Sequence, residues 1–431
     1  MVNNPSKLVG FRYFCRMKPN IYFFNPTCEL AVANGSASYM APVHLRKFEN
    51  ELCTLAGILA RPNDIVLVDQ LPNQQFTDQL AGAGFHQPAY RNRDAVLSDS
   101  KFLSDTRGFL FPWGWSPAVH KLLLPLKTGC CIEFLSSPVA EWQDIHRELY
   151  SRKSSLAILR IIVDSNISNN MITYNDFPEI CTSHDQIISL QRKWGKVVVK
   201  APWSSSGRGL QVLRNDEYNQ TNRQVINGYF KQQKFVVAEP WYDKVLDLSF
   251  QFYSYGNGTI EYKGLTSFST DQAGHYTGNY IHELPVDLRP ELKEYLEGTI
   301  PELRKILHQL LMSSDYSKAY YGWIGVDTLV WKSSDGKYKF HPCLEINCRF
   351  TMGAVALSLR EHLAEDATGE FRIFHGKEGE FQQFCDEKLK KEPLICDNGK
   401  MMEGFLPLSP AEKDGNFGAW ISISKNERMK K

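Results

Sequence analysis

Oxygen-bearing side chains on two consecutive predicted strands are the most chemically informative feature of the sequence. Asp327 lies in one strand, and Glu345 and Asn347 lie two residues apart in the next. Because alternate residues of a strand point to the same face, Glu345 and Asn347 project together. The Ser-Ser-Asp-Gly turn at 333–336 predicts a hairpin that brings Asp327 opposite them. Such a set of oxygen ligands is typical of a site for a hard cation such as Mg²⁺, and Arg349 extends the same face toward a phosphate.

A loop suited to phosphate binding follows an apolar strand earlier in the chain. The run 197–209, VVVKAPWSSSGRG, places Lys200 at the strand end, before a loop with serines, glycines and Arg208. Glycine lets the backbone approach a ligand closely, and inward-facing N–H groups bind anions. No Gly-Lys-Ser/Thr follows, so the loop is not a Walker A motif. An ordinary Gly/Ser surface loop is the alternative interpretation.

A strand end with a nearby carboxylate forms the next pattern. The strand around 235–239 ends at Glu239 and Pro240, and Asp247 follows at the start of another strand. Free backbone groups at such a strand end can pair with an adenine edge, and a carboxylate can accept hydrogen bonds from ribose hydroxyls. The alternative is that both acids are solvated turn residues.

The elements that must position these residues divide into an α/β part and an α+β part. Strands at 20–24 and 64–69 flank a helical pattern at 43–60, which is typical of a parallel α/β unit. Residues 117–193 are mostly helical in pattern. Strand patterns dominate after residue 195, interrupted by a helix at about 288–312.

The predicted domain organisation follows these changes of pattern. We expect a loose leader (1–18), an N-terminal α/β domain (19–116), a mainly helical central segment (117–185), a nucleotide- and metal-binding domain (186–360) and a C-terminal extension packed on the core (361–431).

Composition argues against several classes of protein. The 49 Lys and Arg residues against 48 Asp and Glu leave a net charge of +1, which gives no basic footprint for nucleic acid. No apolar run reaches the length of a membrane span. The ten cysteines contain no C-x-x-C pair of the kind that binds zinc. We therefore expect a cytoplasmic protein that binds neither nucleic acid nor membrane, and its oligomeric state stays open.

In their order along the chain, these motifs resemble the ATP-grasp superfamily, in particular the group of the D-alanine–D-alanine ligase and the carbamoyl-phosphate synthetase large chain. The resemblance covers about residues 150–355, and its most specific part is the E-I-N-x-R run from Glu345 to Arg349. It implies two α+β subdomains that clasp ATP, preceded by a parallel α/β pre-ATP-grasp domain.

The resemblance also implies roles for individual residues. Arg349 and Lys200 would be catalytic, and Asp327, Glu345 and Asn347 would bind Mg²⁺ or Mn²⁺. The family often has an arginine two residues before the metal-binding aspartate, where this chain has Gly325. The implied ATP-binding residues are Lys153, Lys200, Ser204, Ser205, Ser206, Gly207, Arg208, Gly209, Glu239, Pro240, Trp241, Asp247 and Lys263.

The function implied is that of an ATP- and Mg²⁺-dependent ligase, which activates a carboxylate as an acyl-phosphate and transfers it to an amine or similar nucleophile. The substrates would be small molecules, with amino acids and peptides among the candidates. The alternatives are a small-molecule kinase of the same fold and a nucleotide-binding regulator without chemistry. Two segments are candidates for substrate selection: a predicted polar loop, Thr266–Ile281, which contains His275, and residues 25–40 after the first strand.

Overall fold

The structure is a computed structural model that describes residues 18–165, 170–204, 209–214 and 218–425. The predicted leader, except Lys18, lies outside this range. The chain forms two compact units, each built from separate stretches of sequence. The first comprises residues up to Cys28, Ala37–Trp142 and the chain from Ala354 onward, and the second comprises Glu29–Ser36 and Gln143–Gly353. The prediction of five contiguous segments stays a prediction.

The helices and strands of the described residues are as follows. The strands are β1 (Ile21–Phe23), β2 (Ile65–Val68), β3 (Ala89–Asn92), β4 (Leu110–Pro112), β5 (Glu179–Cys181), β6 (Val197–Lys200), β7 (Leu210–Leu213), β8 (Val236–Pro240), β9 (Lys244–Tyr255), β10 (Ile260–Thr270), β11 (Tyr276–Tyr280), β12 (Tyr321–Lys332), β13 (Tyr338–Asn347), β14 (Ala367–His375), β15 (Ile395–Asp397), β16 (Lys400–Pro407) and β17 (Phe417–Lys425). The helices are α1 (Cys28–Asn34), α2 (Val43–Glu51), α3 (Leu55–Ile58), α4 (Gln74–Gly82), α5 (Arg93–Ser98), α6 (Ser100–Ser104), α7 (Pro117–Lys127), α8 (Ile132–Leu135), α9 (Asp144–Leu149), α10 (Arg152–Asp164), α11 (His184–Trp194), α12 (Gln220–Gln233), α13 (Pro290–Ser313), α14 (Met352–Arg360) and α15 (Glu380–Lys391). Short 3₁₀ turns lie at Tyr174–Asp176 and Asp315–Ser317.

The first unit contains the parallel sheet that the N-terminal sequence predicts. Its strand order is β3-β2-β1-β4, and every pairing is parallel. The strands are short and apolar, and Val66, Leu67 and Leu110 are fully buried in them. Strands β14 to β17 of the same unit pair antiparallel in the order β14-β17-β16-β15. The predicted parallel α/β domain is therefore confirmed.

A small antiparallel sheet forms one half of the second unit. Its order is β5-β8-β6-β7, and α11 and α12 share its core. Val197 and Val199 of β6 face this core, together with Ile187 of α11 and Ile226 of α12. Helix α11 begins at Ser183, whose hydroxyl accepts a hydrogen bond from the Gln186 amide, as expected of an N-cap serine.

A larger antiparallel sheet forms the other half of the second unit. Its strands β13-β12-β9-β10-β11 are neighbours in that order. Helix α13 buries a row of leucines at helical spacing, namely Leu292, Leu296, Leu303, Leu307 and Leu311. Helix α10 is tied to β13 because the Ser155 hydroxyl accepts a hydrogen bond from the Ile346 amide at 2.9 Å.

One prediction at the level of elements is wrong. The polar segment Thr266–Ile281 is not a long loop, because β10 continues to Thr270 and β11 begins at Tyr276. The two strands form a hairpin, with Ser267 opposite Tyr280. Asp271 closes its turn by accepting hydrogen bonds from the amides of Ala273 and His275. The polar side chains hide the strand pattern because the residues next to the turn are only partly buried.

Two further findings concern the described part of the chain. None of its helices combines the length and the apolar run that a membrane crossing needs. Most of its cysteines are free and buried, whereas Cys131 is disulfide-bonded.

Candidate functional site

The β12–β13 hairpin brings the predicted metal ligands together. Asp327 pairs with Glu345 across the two strands, and Gly325 pairs with Asn347. The Asn347 amide nitrogen Nδ2 donates a hydrogen bond to Asp327 Oδ2 at 2.9 Å. The turn at 333–336 closes the hairpin, and an irregularity between Asp327 and Leu329 then shifts the register so that Asp327 lies opposite Glu345.

Electrostatic repulsion within this cluster favours a bound cation. Burial, and after it the negative charge of Glu345, raise the pKa of the Asp327 carboxyl from 3.8 to about 6. Two opposed carboxylates and an amide oxygen form a hard donor set that suits Mg²⁺ or Mn²⁺, which also keep water and phosphate ligands. The described residues contain no cluster of three or more His, Cys, Asp or Glu side chains for a metal. Asn347 and phosphate oxygens would therefore have to complete the coordination.

A row of buried polar side chains orients Asp327 from the neighbouring strand. The Ser249 hydroxyl donates to Asp327 Oδ1 at 2.7 Å, and Gln251 Nε2 donates to Ser249 at 2.7 Å. The Thr351 hydroxyl donates to the Gln251 carbonyl oxygen, also at 2.7 Å. Each of these groups is satisfied, so the row holds the carboxylate in one orientation.

Arg152 connects the metal cluster to the phosphate loop. Its guanidinium is 6% exposed and lies 2.9 Å from Glu345 Oε1. The same group donates to the Ala201 carbonyl at 3.1 Å and to the Ser204 hydroxyl at 3.3 Å. A guanidinium with several donors is well suited to bind phosphate between these two elements.

Lys200 and Glu239 form a buried ion pair between neighbouring strands. Their exposed fractions are 5% and 4%, and Lys200 Nζ contacts Glu239 Oε1 directly. A buried charge is costly unless it is paired, so the two side chains stabilise one another. The amine of Lys200 is thus held at the base of the loop, beside the strand end that the sequence predicts as the nucleotide hinge.

The described ends of the phosphate loop are close together. The Ala201 amide donates to the Gly209 carbonyl at 2.9 Å, and Ser204 is buried beside it. Gly209 has a φ of +84°, and a Cβ atom there would lie 2.8 Å from the Cβ of Ser204. Only glycine fits this position without strain. The predicted ligands Ser205, Ser206, Gly207 and Arg208 lie outside the described residues.

The first two residues of the hinge at the end of β8 offer no free backbone donor. Pro240 has no amide hydrogen, and the Trp241 amide donates to the Lys196 carbonyl at 3.0 Å. Asp247 lies beyond the hinge on β9, where Lys244 Nζ donates to its carboxylate at 2.6 Å. Burial raises the pKa of Asp247, against the lowering influence of Lys244, Thr270 and Lys200. Asp247 is therefore near Lys200, as a ribose-binding acid would have to be.

Arg349 is held beside the metal cluster from both sides. Its Nη2 donates to the Asn347 amide oxygen at 2.9 Å, and its Nε contacts Glu29 of α1. Glu29 is buried and belongs to the segment 25–40, which the sequence marks as a candidate for substrate selection. The pair fixes the guanidinium at the edge of the cluster.

Known proteins similar to the chain include a ligase and enzymes of solved structure. No protein-family model matches the chain. Over 311 residues it is 24% identical to the butirosin acyl-carrier protein–L-glutamate ligase of Niallia circulans, which covers 70% of this chain. The chain spans only 64% of the length of that relative.

The fold of the chain is similar to folds seen in solved structures. The chain is similar to an N5-carboxyaminoimidazole ribonucleotide synthetase in complex with ADP, with a TM-score of 0.51 and 11% identity over 96% of this chain and 94% of the other. The chain has an ATP-grasp fold. It is equally similar to a pyruvate carboxylase from Rhizobium etli, with a TM-score of 0.51 and 12% identity over 96% of this chain and 36% of the other. At the level of the fold, the resemblance that the sequence motifs indicate is confirmed.

Two lysines implied by the ATP-grasp resemblance have contacts outside the cluster. Lys153 is exposed, one residue after the buried Arg152. Lys263 Nζ pairs with Glu261 at 2.8 Å and lies over the Tyr253 ring. Glu261 lines a separate cleft of about 670 Å³ between β10 and α13. Their roles in binding ATP stay predictions, and their described contacts do not support them.

The missing family arginine at Gly325 has a steric explanation. A Cβ atom at this position would lie 2.8 Å from Thr351 Cγ2. Thr351 and Gln251 occupy the space in which an arginine side chain would start. Arg349 lies beside this position, because its Nη2 donates to Asn347, the residue paired with Gly325.

Sequence reasoning misses several site residues. It favours Lys153 over Arg152, its neighbour at the start of α10, although only Arg152 is buried. Ser249 and Gln251 alternate with apolar residues along β9, and this alternation is a signal that could have marked a polar face. No sequence signal connects Glu29 to Arg349, because 320 residues separate them.

Proposed function

We propose that this chain is an ATP- and Mg²⁺-dependent ligase that activates a small-molecule carboxylate as its acyl-phosphate and transfers the acyl group to an amine or similar nucleophile. The observation that carries the proposal is the position of Arg152, which joins the metal-type hairpin at Glu345 to the base of the phosphate loop at Ser204. These contacts would bring the groups that bind phosphate close to the groups that bind the cation, as phosphoryl transfer requires.

The residues of the chain divide this work between them. Asp327, Glu345 and Asn347 would hold Mg²⁺, which when bound neutralises charge on the phosphate oxygens. Arg152 and Lys200 would hold the triphosphate in line with the substrate carboxylate. A carboxylate is a poor electrophile, and the phosphoryl group gives it a leaving group.

Arg349 would act where charge develops during transfer. Its guanidinium, fixed by Glu29 and Asn347, lies beside the cation cluster and could stabilise the oxygen that gains negative charge. The reaction needs no nucleophilic side chain, because the attacking groups are the substrate carboxylate and then the acceptor amine.

Substrate identity is proposed only at the level of class. The relative named as an L-glutamate ligase makes L-glutamate the first acid to test. Amino acids, short peptides and other small acids are the remaining candidates, with small amines as acceptors. We further propose a cytoplasmic location, where ATP and such acids are available.

The test is a screen for phosphate release from Mg·ATP with paired acids and amines. We expect one pair to release phosphate and ADP together. Glu345→Gln should lower this rate by about 10²–10³-fold, because it removes charge from the cation site. The control is Asp335→Asn, at the exposed turn of the same hairpin, which should retain the rate. Equal rates for Glu345→Gln and the wild type would contradict the proposal.

A further inference from the structure

A buried histidine near the nucleotide hinge has no hydrogen-bond partner. His341 lies in the middle of β13 and is 0% exposed. Within the described residues, neither of its ring nitrogens has a partner. Buried polar side chains are nearly always bonded, so an unbonded imidazole points to a ligand that would satisfy it.

The imidazole is on the hinge side of the large sheet. Burial lowers the pKa of His341 to about 4, while the charge of Glu239 raises it and that of Lys200 lowers it. Both charges must therefore be close to the ring. The Tyr242 ring, three residues after Glu239, meets it edge to face at 6.1 Å between centroids. The neutral ring has one N–H donor and one acceptor nitrogen for a ligand.

Two positions of the hinge offer a bound base no backbone donor. Pro240 has no amide hydrogen, the Trp241 amide is bonded to Lys196, and the Glu239 carboxylate is paired with Lys200. A purine base has several polar edge atoms, and a side chain beside these residues can bond one that the backbone does not reach. His341 is buried, unbonded and next to them.

We propose that His341 binds the purine base of the nucleotide. This inference rests on the proposed function, because it requires ATP to bind at the hinge. One ring nitrogen would either donate to N7 of adenine or accept from its exocyclic amine. The ion pair of Lys200 and Glu239 and the ring of Tyr242 would form the walls around this contact.

The experiment compares nucleotide binding by calorimetry in the presence of Mg²⁺. The ligands are ATP, 7-deaza-ATP, which lacks the N7 acceptor, and purine riboside triphosphate, which lacks the exocyclic amine. We expect His341→Phe to bind ATP about tenfold more weakly, because one hydrogen bond is lost and a polar edge stays unpaired. We also expect one analogue to bind the wild type about tenfold more weakly than ATP, with this difference absent in His341→Phe.

Two further variants separate a role in binding from a role in folding. His341→Gln keeps a donor and an acceptor and should therefore recover part of the affinity for ATP. The same variant replaces His341→Phe in the comparison if His341→Phe does not fold. His362→Phe is the matched control, because His362 is another histidine whose pKa burial lowers to about 4, stacked on Phe85 in the first unit. We expect its affinity for ATP to equal that of the wild type.

The outcomes distinguish this inference from the proposed function. If His341→Phe binds ATP as tightly as the wild type and keeps its discrimination between ATP and the analogues, the imidazole is satisfied by buried water and the inference is wrong. If the wild type binds none of the three nucleotides, the proposed function fails, and this inference fails with it.

Discussion

Two neighbouring cations at the start of α10 have opposite environments. Arg152 is buried and contacts Glu345, Ala201 and Ser204, whereas Lys153 is exposed. Helix geometry explains this difference, because consecutive residues point about 100° apart around the axis. Arg152 therefore faces the loop while Lys153 faces solvent. The two residues therefore offer a matched test of which one binds phosphate.

We predict that Arg152→Ala lowers the rate of ADP release by about 10²-fold or more, because a charged donor to the triphosphate is lost. Lys153→Ala should stay within about twofold of the wild type, since its side chain contacts solvent. Initial rates at saturating Mg·ATP for both variants test this prediction. If Lys153→Ala lost most of the rate of ADP release and Arg152→Ala lost none, Lys153 would be the phosphate-binding residue, as the resemblance implies.

The residues of the cation cluster could be predicted from sequence, but their surroundings could not. Two-residue spacing and a recognisable turn predict the hairpin and the shared face of Glu345 and Asn347. The irregularity between Asp327 and Leu329, which brings Asp327 opposite Glu345, has no such signal. The orientation of Asp327 by Ser249, and the pairing of Arg349 with Glu29, depend on contacts between distant parts of the chain. Such contacts leave no periodic pattern in one sequence.

At the scale of elements, strands β9, β12 and β13 carry the site, and β12 has a glycine, Gly325, where a larger side chain would not fit. A Cβ atom at Gly325 would lie 2.8 Å from Thr351 Cγ2. Strand patterns predict β9, β12 and β13 to within a few residues, because they are long and apolar. The same patterns miss the β10–β11 hairpin, since the polar, partly buried residues beside its turn resemble those of a loop.

We predict that Gly325→Ala destabilises the protein by about 1–3 kcal/mol through overpacking, and that Gly325→Arg does so by more. The matched control is Gly228→Ala in α12, where a Cβ atom meets nothing within 4 Å. This control should be neutral or stabilising by about 0.5–1 kcal/mol, because alanine favours a helix interior over glycine. Thermal unfolding followed by circular dichroism measures both. A Gly325→Arg variant as stable as the wild type would refute the steric explanation.

At the scale of the whole molecule, the chain folds into two units that each combine distant segments. The first unit joins the N-terminal parallel sheet to the strands after residue 366. Sequence patterns divide a chain at turns and changes of composition, so they suggest contiguous domains. The joining of remote segments is decided by side-chain packing, which a single sequence does not display.

Histidine burial predicts acid sensitivity of this first unit. Burial lowers the pKa of His362 from 6.5 to about 4. Between these pH values the unfolded chain binds a proton that the folded chain does not, so stability falls as the pH falls through this range. Because the side chain is only half-buried, solvent screening reduces the effect, and we expect a loss of about 1–2 kcal/mol.

The variant His362→Phe should therefore lose less stability than the wild type between pH 7 and pH 4. The measurement is the melting temperature across this range, expressed as the change from pH 7, so that any direct effect of the substitution cancels. Identical pH profiles for the two proteins would show that His362 titrates alike in the folded and unfolded chains.

The central claim is that ATP activates a carboxylate at this site, and the fate of an oxygen label tests it most directly. The acid that gives the highest phosphate release is prepared with ¹⁸O in its carboxylate and turned over with Mg·ATP and the acceptor. The account predicts that the released phosphate carries one ¹⁸O atom, because the carboxylate oxygen attacks the γ-phosphorus and leaves with it. Unlabelled phosphate, or a stable phosphorylated product with no phosphate released, would contradict it.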